Sequence, residues 1–282
     1  MIRNTLLTLT FAFSATAAYA FPLPRMEKGK VKLPPTFTTN YDFEGIVALD
    51  DCSGSIVRFE NSKDTDPAMV LTNGHCYEDG FMDPGKFINN VPSNRRFTIL
   101  KPNGDEMGTI SASKVIYASM TKTDITLYQT SMTYADIQQR YNTRPLTLSS
   151  QHPTAGTAID IVSGYWQRGY SCNIDNFVFK LEEGGYTWED SVRYTATGCE
   201  VIGGTSGSPV ITQGTRTMIA INNTGNENGE RCTDDNPCEV DQNGNITVRQ
   251  GINYAEETYL IYSCVNSSNQ FDLSTPGCAL LH

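Results

Sequence analysis

From Tyr41 onward the apolar residues come in short runs rich in Val, Ile, Thr, Tyr and Phe, separated by Gly, Asn, Asp and Pro. In TDITLYQ (123–129) polar and apolar positions alternate, so Ile125 and Leu127 share one face of a strand. Similar runs predict strands at GSIVRFE (54–60), AMVLT (68–72), RRFTIL (95–100), GTISASKVIYA (108–118) and TAIDIVSGYW (157–166). Others follow at FVFKL (177–181), SVRYTA (191–196), PVIT (209–212) and TMIAIN (217–222). So many short strands predict an all-β barrel or sandwich. Two segments break the pattern. Thr133 to Pro153 reads as a short helix and a crossover between two halves. NYAEETYLIYSCV, from Asn253, reads as a helix capped by Asn253, with Tyr254, Tyr259, Ile261 and Tyr262 supplying a packing face.

The N-terminus has a different texture. MIRN is followed by the short apolar TLLTLTFAFSATAA and by Ala18-Tyr19-Ala20, the pattern of a secretory signal cut after Ala20. Residues 21–40 are rich in Pro, Lys and Arg and predict an extended arm or propeptide. Nothing later is apolar long enough to span a bilayer. The remainder, in a chain of 282 residues with 39% apolar and 18% charged residues, suffices for one large domain or two small ones. A formal charge of −10 disfavours nucleic acid and anionic membranes as partners. The eight cysteines include no C-x-x-C pair, so an exported chain predicts four disulfides instead of a zinc site. Spacing alone does not fix their pairing.

No cofactor and no metal is expected. VDQNGNITV (240–248) sets Asp241, Asn243 and Asn245 at alternate positions, but its glycine stands fourth instead of sixth as in a calcium loop. Asn243-Gly244 predicts a type I′ hairpin turn there.

Catalytic chemistry is suggested by GGTSGSPV (203–210), a Gly/Ser-rich run able to shape a tight turn around one hydroxyl. A serine hydroxyl needs a base within hydrogen-bond reach, and the base needs a carboxylate to fix its tautomer. Of three histidines, His282 is terminal and His152 sits in the polar connection SSQHPTAG, where a solvated loop residue is expected. His75 follows the buried run AMVLT and stands in TNGHC, and Asp124 begins the alternating strand between it and Ser206.

Three motifs in the order His75, Asp124, Ser206 resemble the trypsin-like (chymotrypsin-fold) serine proteases over about residues 41–262. DCSGSIV is similar to the family's C-G-G-S-L-I, LTNGHC to L-T-A-A-H-C, TDITLYQ to the D-I-A-L strand and GTSGSPV to G-D-S-G-G-P-V. The bacterial branch with the glutamyl endopeptidases, which carry G-x-S-G-S-P, is nearest. The resemblance implies two six-stranded antiparallel β-barrels packed face to face, at about 41–132 and 150–262, with the predicted C-terminal helix. Residues 263–282 would form a disulfide-tethered tail. It implies a secreted, monomeric endopeptidase acting on polypeptides, with Ser206 as nucleophile, His75 as general acid and base, and Asp124 as orienting carboxylate. The N–H groups of Gly204 and Ser206 would form the oxyanion hole. The disulfides implied are Cys52–Cys76 and Cys172–Cys199, with Cys232–Cys238 and Cys264–Cys278 by proximity.

The pattern also departs from the family. Thr205 stands where trypsin keeps an aspartate that pairs with a new N-terminus, so activity is expected not to need that ion pair. Val201 and Asn222 replace the Thr/Ser and His of the glutamate-specific pocket, while Glu200, six residues before Ser206, hints at a basic residue at P1. Two alternatives differ in class. A catalytically idle binding module would normally have lost a triad member. An α/β-hydrolase esterase needs G-x-S-x-G, broken here by Ser208, and a histidine after the acid.

Overall fold

The structure, a computed structural model, describes residues 41–282; the expected signal at 1–20 and arm at 21–40 lie outside the described residues. The first half forms β1 (Ile46–Ala48), β2 (Ser53–Arg58), β3 (Pro67–Thr72), β4 (Phe87–Pro92), β5 (Arg96–Leu100), β6 (Glu106–Ser119) and β7 (Ile125–Thr133). Antiparallel pairing runs β1–β2–β3–β7–β6–β5 and returns to β1, closing a six-stranded barrel, with β4 added to the edge of β6. Alternation sorts its side chains: Ile56, Val70, Phe97, Ile99 and Tyr128 fill the interior, while Val57, Leu71 and Leu127 point out.

Helix α1 (Tyr134–Tyr141) begins the crossover. Thr133 caps it by accepting from Asp136 N, and Asp136 accepts from Thr133 N in return, a reciprocal capping box. Then β8 (Leu146–Leu148) lies parallel to both β2 and a strand of the second half, bridging the barrels.

The second half forms β9 (Ala158–Ser163), β10 (Arg168–Glu183), β11 (Tyr186–Tyr194), β12 (Pro209–Thr212), β13 (Thr217–Gly225), β14 (Cys238–Val240), β15 (Ile246–Val248) and β16 (Asn253–Glu257). Pairing β9–β10–β11–β16–β13–β12 returns to β9 and closes a second antiparallel barrel around Ile159, Ile161, Tyr194, Val210 and Ala220. The outward faces of both barrels meet in a third cluster that joins Val57, Leu71 and Leu127 to Ile211, Met218 and Ile221. Burying that shared face is what fixes one barrel against the other.

Two local expectations are corrected. Asn253 does not cap a long helix: residues 253–257 are the strand that closes the second barrel, and α2 (Tyr259–Tyr262) is one turn long. Tyr254, Ala255, Glu256 and Glu257 are all buried, so both faces of the segment are enclosed and tertiary pairing overrides its helical pattern. The 241–245 turn joins β14 to β15 as a hairpin, but only Gly244 has positive φ (+80°), so it is not type I′. Asp241 instead accepts from the amides of Asn243 and Asn245, shaping the loop with its own carboxylate.

Four disulfides join Cys52 to Cys76, Cys172 to Cys199, Cys232 to Cys238 and Cys264 to Cys278. The last ties the C-terminal segment, which crosses back to the first barrel, where Tyr117 donates to Leu281 O at 3.0 Å.

Candidate active site

His75 lies in the turn after β3, and Asp124 immediately before β7, the neighbouring strand. Their contact therefore follows from strand pairing. Asp124 is fully buried, and His75 takes both its oxygens: ring Nδ1 meets Oδ2 at 2.5 Å and the backbone N–H donates to Oδ1 at 2.9 Å. A carboxylate facing Nδ1 fixes the proton on that nitrogen and leaves Nε2 as the basic atom. Gly74 is required between them, since a Cβ there would fall 2.1 Å from Ser119 O and 2.6 Å from Asp124 Oδ1.

Burial is the largest influence on the His75 ring and pulls its pKa down. The Asp124 carboxylate, through charge and hydrogen bond, opposes it together with Glu183 and Asp51, and the net position is above the ordinary 6.5. Behind Asp124, Glu256 is buried and accepts from Ser191 Oγ at 2.9 Å and Asn223 Nδ2 at 3.2 Å. Burial first, then the Asp124 charge, pushes its pKa up to about 8.

The Ser206 turn precedes β12 and is stitched to the first barrel. Ser53 N donates to Ser206 O at 2.7 Å, and Gly207 N donates to Asn73 Oδ1. Asn73 also donates to Asp124 O at 2.9 Å, so one side chain touches the turns of both Asp124 and Ser206. The Ser206 hydroxyl donates to Asn223 O at 3.3 Å. Among the described residues the amides of Gly204 and Ser206 donate to no protein group, although their neighbours Thr205, Gly207 and Ser208 all do.

Trp166, in the turn between β9 and β10, donates Nε1–H to Gly203 O at 2.8 Å. A trans peptide is planar with its C=O and N–H opposed, so capturing that oxygen directs the Gly204 N–H to the opposite side. Gly204 has φ +82° and sits between Tyr165 and Trp166, where a Cβ would meet both rings at 3.0 Å. Thr205 is buried and uncharged. The arrangement thus offers an imidazole with a free basic nitrogen, a hydroxyl on a turn tied to the same corner, and two unengaged amides beside it.

The trypsin-like peptidase domain family matches residues 52–221, a span that includes all three motifs. The chain belongs to the trypsin-like peptidase family. As a trypsin-like serine endopeptidase it acts on polypeptides. Among solved structures this peptidase is similar to the MamO protease domain from Magnetospirillum magneticum in its apo form, at 11% identity, TM-score 0.48 and coverage of 80% of this chain and 97% of that one. It is similar to Rv3671c protease from M. tuberculosis in its active form, at 11% identity, TM-score 0.46 and coverage of 85% and 87%. A Glu endopeptidase in complex with MPD matches at 16% identity, TM-score 0.43 and coverage of 77% and 85%. No curated protein matches the chain.

In this trypsin-like peptidase an open cleft of about 630 Å³ adjoins His75, lined by Asp50, Asp51, Tyr77, Glu78, Arg95 and Arg96 among others. Exposed Phe81 packs edge-on against His75 at 6.1 Å. The three pocket residues named from sequence have separate surroundings. Glu200 is exposed and accepts from Gly198 N at 3.1 Å; Val201 packs on the interior of the second barrel; Asn222 is buried and accepts from Tyr194 OH at 3.1 Å. Trp166, Glu256 and the double role of Asn73 went unseen in the sequence. Asn73 alone had a local signal, its place within TNGHC.

Proposed function

We propose that this peptidase cleaves peptide bonds through an acyl-enzyme on Ser206. His75 Nε2 takes the hydroxyl proton as Ser206 Oγ attacks the scissile carbonyl, and Asp124 stabilises the imidazolium through Nδ1–H. The N–H groups of Gly204 and Ser206 receive the oxyanion, with Trp166 as the positioning residue that keeps the Gly204 N–H on the substrate side. The imidazolium then protonates the leaving amine, and a water activated by the same ring hydrolyses the ester. The resting 3.3 Å bond to Asn223 O is one the hydroxyl gives up by rotation when substrate binds.

The observation that carries this reading is the double grip of Asn73–His75. One short stretch binds Asp124 through His75 and the Ser206 turn through Asn73. Secretion fits four disulfides and the signal-like residues 1–20. A basic P1 residue facing Glu200 is the specificity reading, and a monomer is the working unit. The test is to mix the enzyme with a p-nitrophenyl acyl ester and follow the first turnover. A burst of one nitrophenolate per chain, with the acyl mass on the peptide holding Ser206, is expected. Folded protein with neither burst nor adduct would make it a binding module.

A further inference from the structure

A second cluster of chemistry-bearing side chains lies on β16, on the face opposite to Glu256. Along a strand successive side chains point to opposite faces. The register of β11 on β16 pairs Val192 with Ala255, and its continuation sets Ser191 against Glu256 and Asp190 against Glu257. Ser191 and Glu256 hydrogen-bond on one face. The other face sets two carboxyl groups opposite each other, which repel when both are ionised.

His152 comes to that face from the connection before β9. Its Nε2 is 3.3 Å from Asp190 Oδ2 and 3.3 Å from Glu257 Oε1, and the three ligand atoms all lie within 4.8 Å of one another. The ring is held between Phe177 and Tyr259, at centroid distances of 4.3 and 5.2 Å. Its Nδ1 lies 2.6 Å from Pro153 O, where only an N–H donor fits, so in the neutral ring Nε2 is the lone-pair atom. Nδ1–H on a backbone carbonyl is the support usual for a metal-binding imidazole. Tyr259 OH likewise donates to Asp190 Oδ2 at 2.7 Å. Glu257 is 2% exposed, yet neither of its carboxylate oxygens accepts a hydrogen bond.

At 3.3 Å each, the two contacts are longer than a close direct ion pair. Charge-assisted N–H···O bonds run about 2.7–2.9 Å. Zinc bound to nitrogen and oxygen at about 2.0–2.2 Å in a tetrahedron spaces its ligand atoms about 3.3–3.6 Å apart. We propose that His152, Asp190 and Glu257 bind a borderline divalent metal ion, zinc foremost, through Nε2, Oδ2 and Oε1, leaving one position open to solvent. His152 and Asp190 are partly exposed, which gives the ion a way in, and Glu257 closes the floor. The ion would fasten the connection between the barrels to β11 and β16.

The test uses the full chain carrying Ser206→Ala to stop self-digestion, stripped with chelator and titrated with Co²⁺ while visible absorption is followed. One Co²⁺ per chain with the intense bands of a four-coordinate N/O site is expected, displaced by Zn²⁺. Zn²⁺ at a hundredfold excess over its Kd should raise Tm by roughly 5 °C, and Mg²⁺ and Ca²⁺ should not. His152→Ala, at an exposed side chain, and the near-isosteric Glu257→Gln should each abolish both signals, while adding His75→Ala should change neither. Absence of binding at about 1 mM metal, or binding that survives His152→Ala, would overturn the proposal.

Discussion

The two internal histidines of this peptidase both face carboxylates, yet they are wired in opposite senses. His75 gives Nδ1 to a single buried Asp124 at 2.5 Å and keeps Nε2 free. His152 spends Nδ1 on a backbone carbonyl and turns Nε2 toward two carboxylates at 3.3 Å each. The first arrangement makes a base whose charged form is stabilised; the second makes a ligand whose lone pair shares a space with two others. Having a carboxylate nearby does not separate these roles. Which ring nitrogen faces it, and at what distance, does.

The largest expected effect strikes what His75 serves. Ser206→Ala should lower kcat by roughly a millionfold with the fold intact, read by steady-state hydrolysis of a peptide amide and by circular dichroism. Asp124→Asn removes the partner that distinguishes His75 from His152. It should cost about 10⁴-fold in kcat at neutral pH.

The same substitution should move the acid limb of the kcat/KM profile. Activity needs neutral His75, so in the parent it rises with pH through a value above 6.5, and losing Asp124 must shift that limb lower. The linkage has a definite sign. A histidine whose pKa is raised on folding contributes stability below its unfolded pKa, and that contribution fades as pH rises through the folded value. Melting curves on either side of pH 6.5 should show the Asp124→Asn variant losing more stability on the acid side.

Trp166→Phe keeps an aromatic ring, smaller than the indole, and removes the donor to Gly203 O. It should lower kcat by up to about 10²-fold with little change in KM, less than deleting an oxyanion donor outright. An unchanged kcat would remove Trp166 from the positioning role. Glu183→Gln should have the smallest effect. Burial pushes Glu183 up to about 7, and its charge helps raise His75, so its loss should move the acid limb slightly lower and leave kcat on the plateau unchanged.

What the sequence disclosed and what it hid follow one physical division. Strands such as AMVLT and PVIT were legible because short apolar runs and the turn residues that bound them are local, and both barrels follow from pairing them. His75, Asp124 and Ser206 were legible because each sits in a short motif whose neighbours have their own work, such as Gly74 beside His75. NYAEE was misread because Asn253 offers a cap and Tyr254, Tyr259, Ile261 and Tyr262 a helical packing face, whereas Glu256 and Glu257 are buried on opposite faces of a closing strand. Trp166 and His152 were hidden for a different reason. Their meaning lies in partners from distant elements, Gly203 for one and β11 and β16 for the other, and no local pattern marks such meetings.

Activation of Ser206 by His75 is the step on which the proposed chemistry rests. Labelling the purified protein with a serine-directed fluorophosphonate and mapping the adduct by mass spectrometry is the decisive measurement. One label per chain is expected, on Ser206, abolished by His75→Ala and kept by His152→Ala. A folded parent protein that takes no label, or one whose label persists without His75, would contradict it.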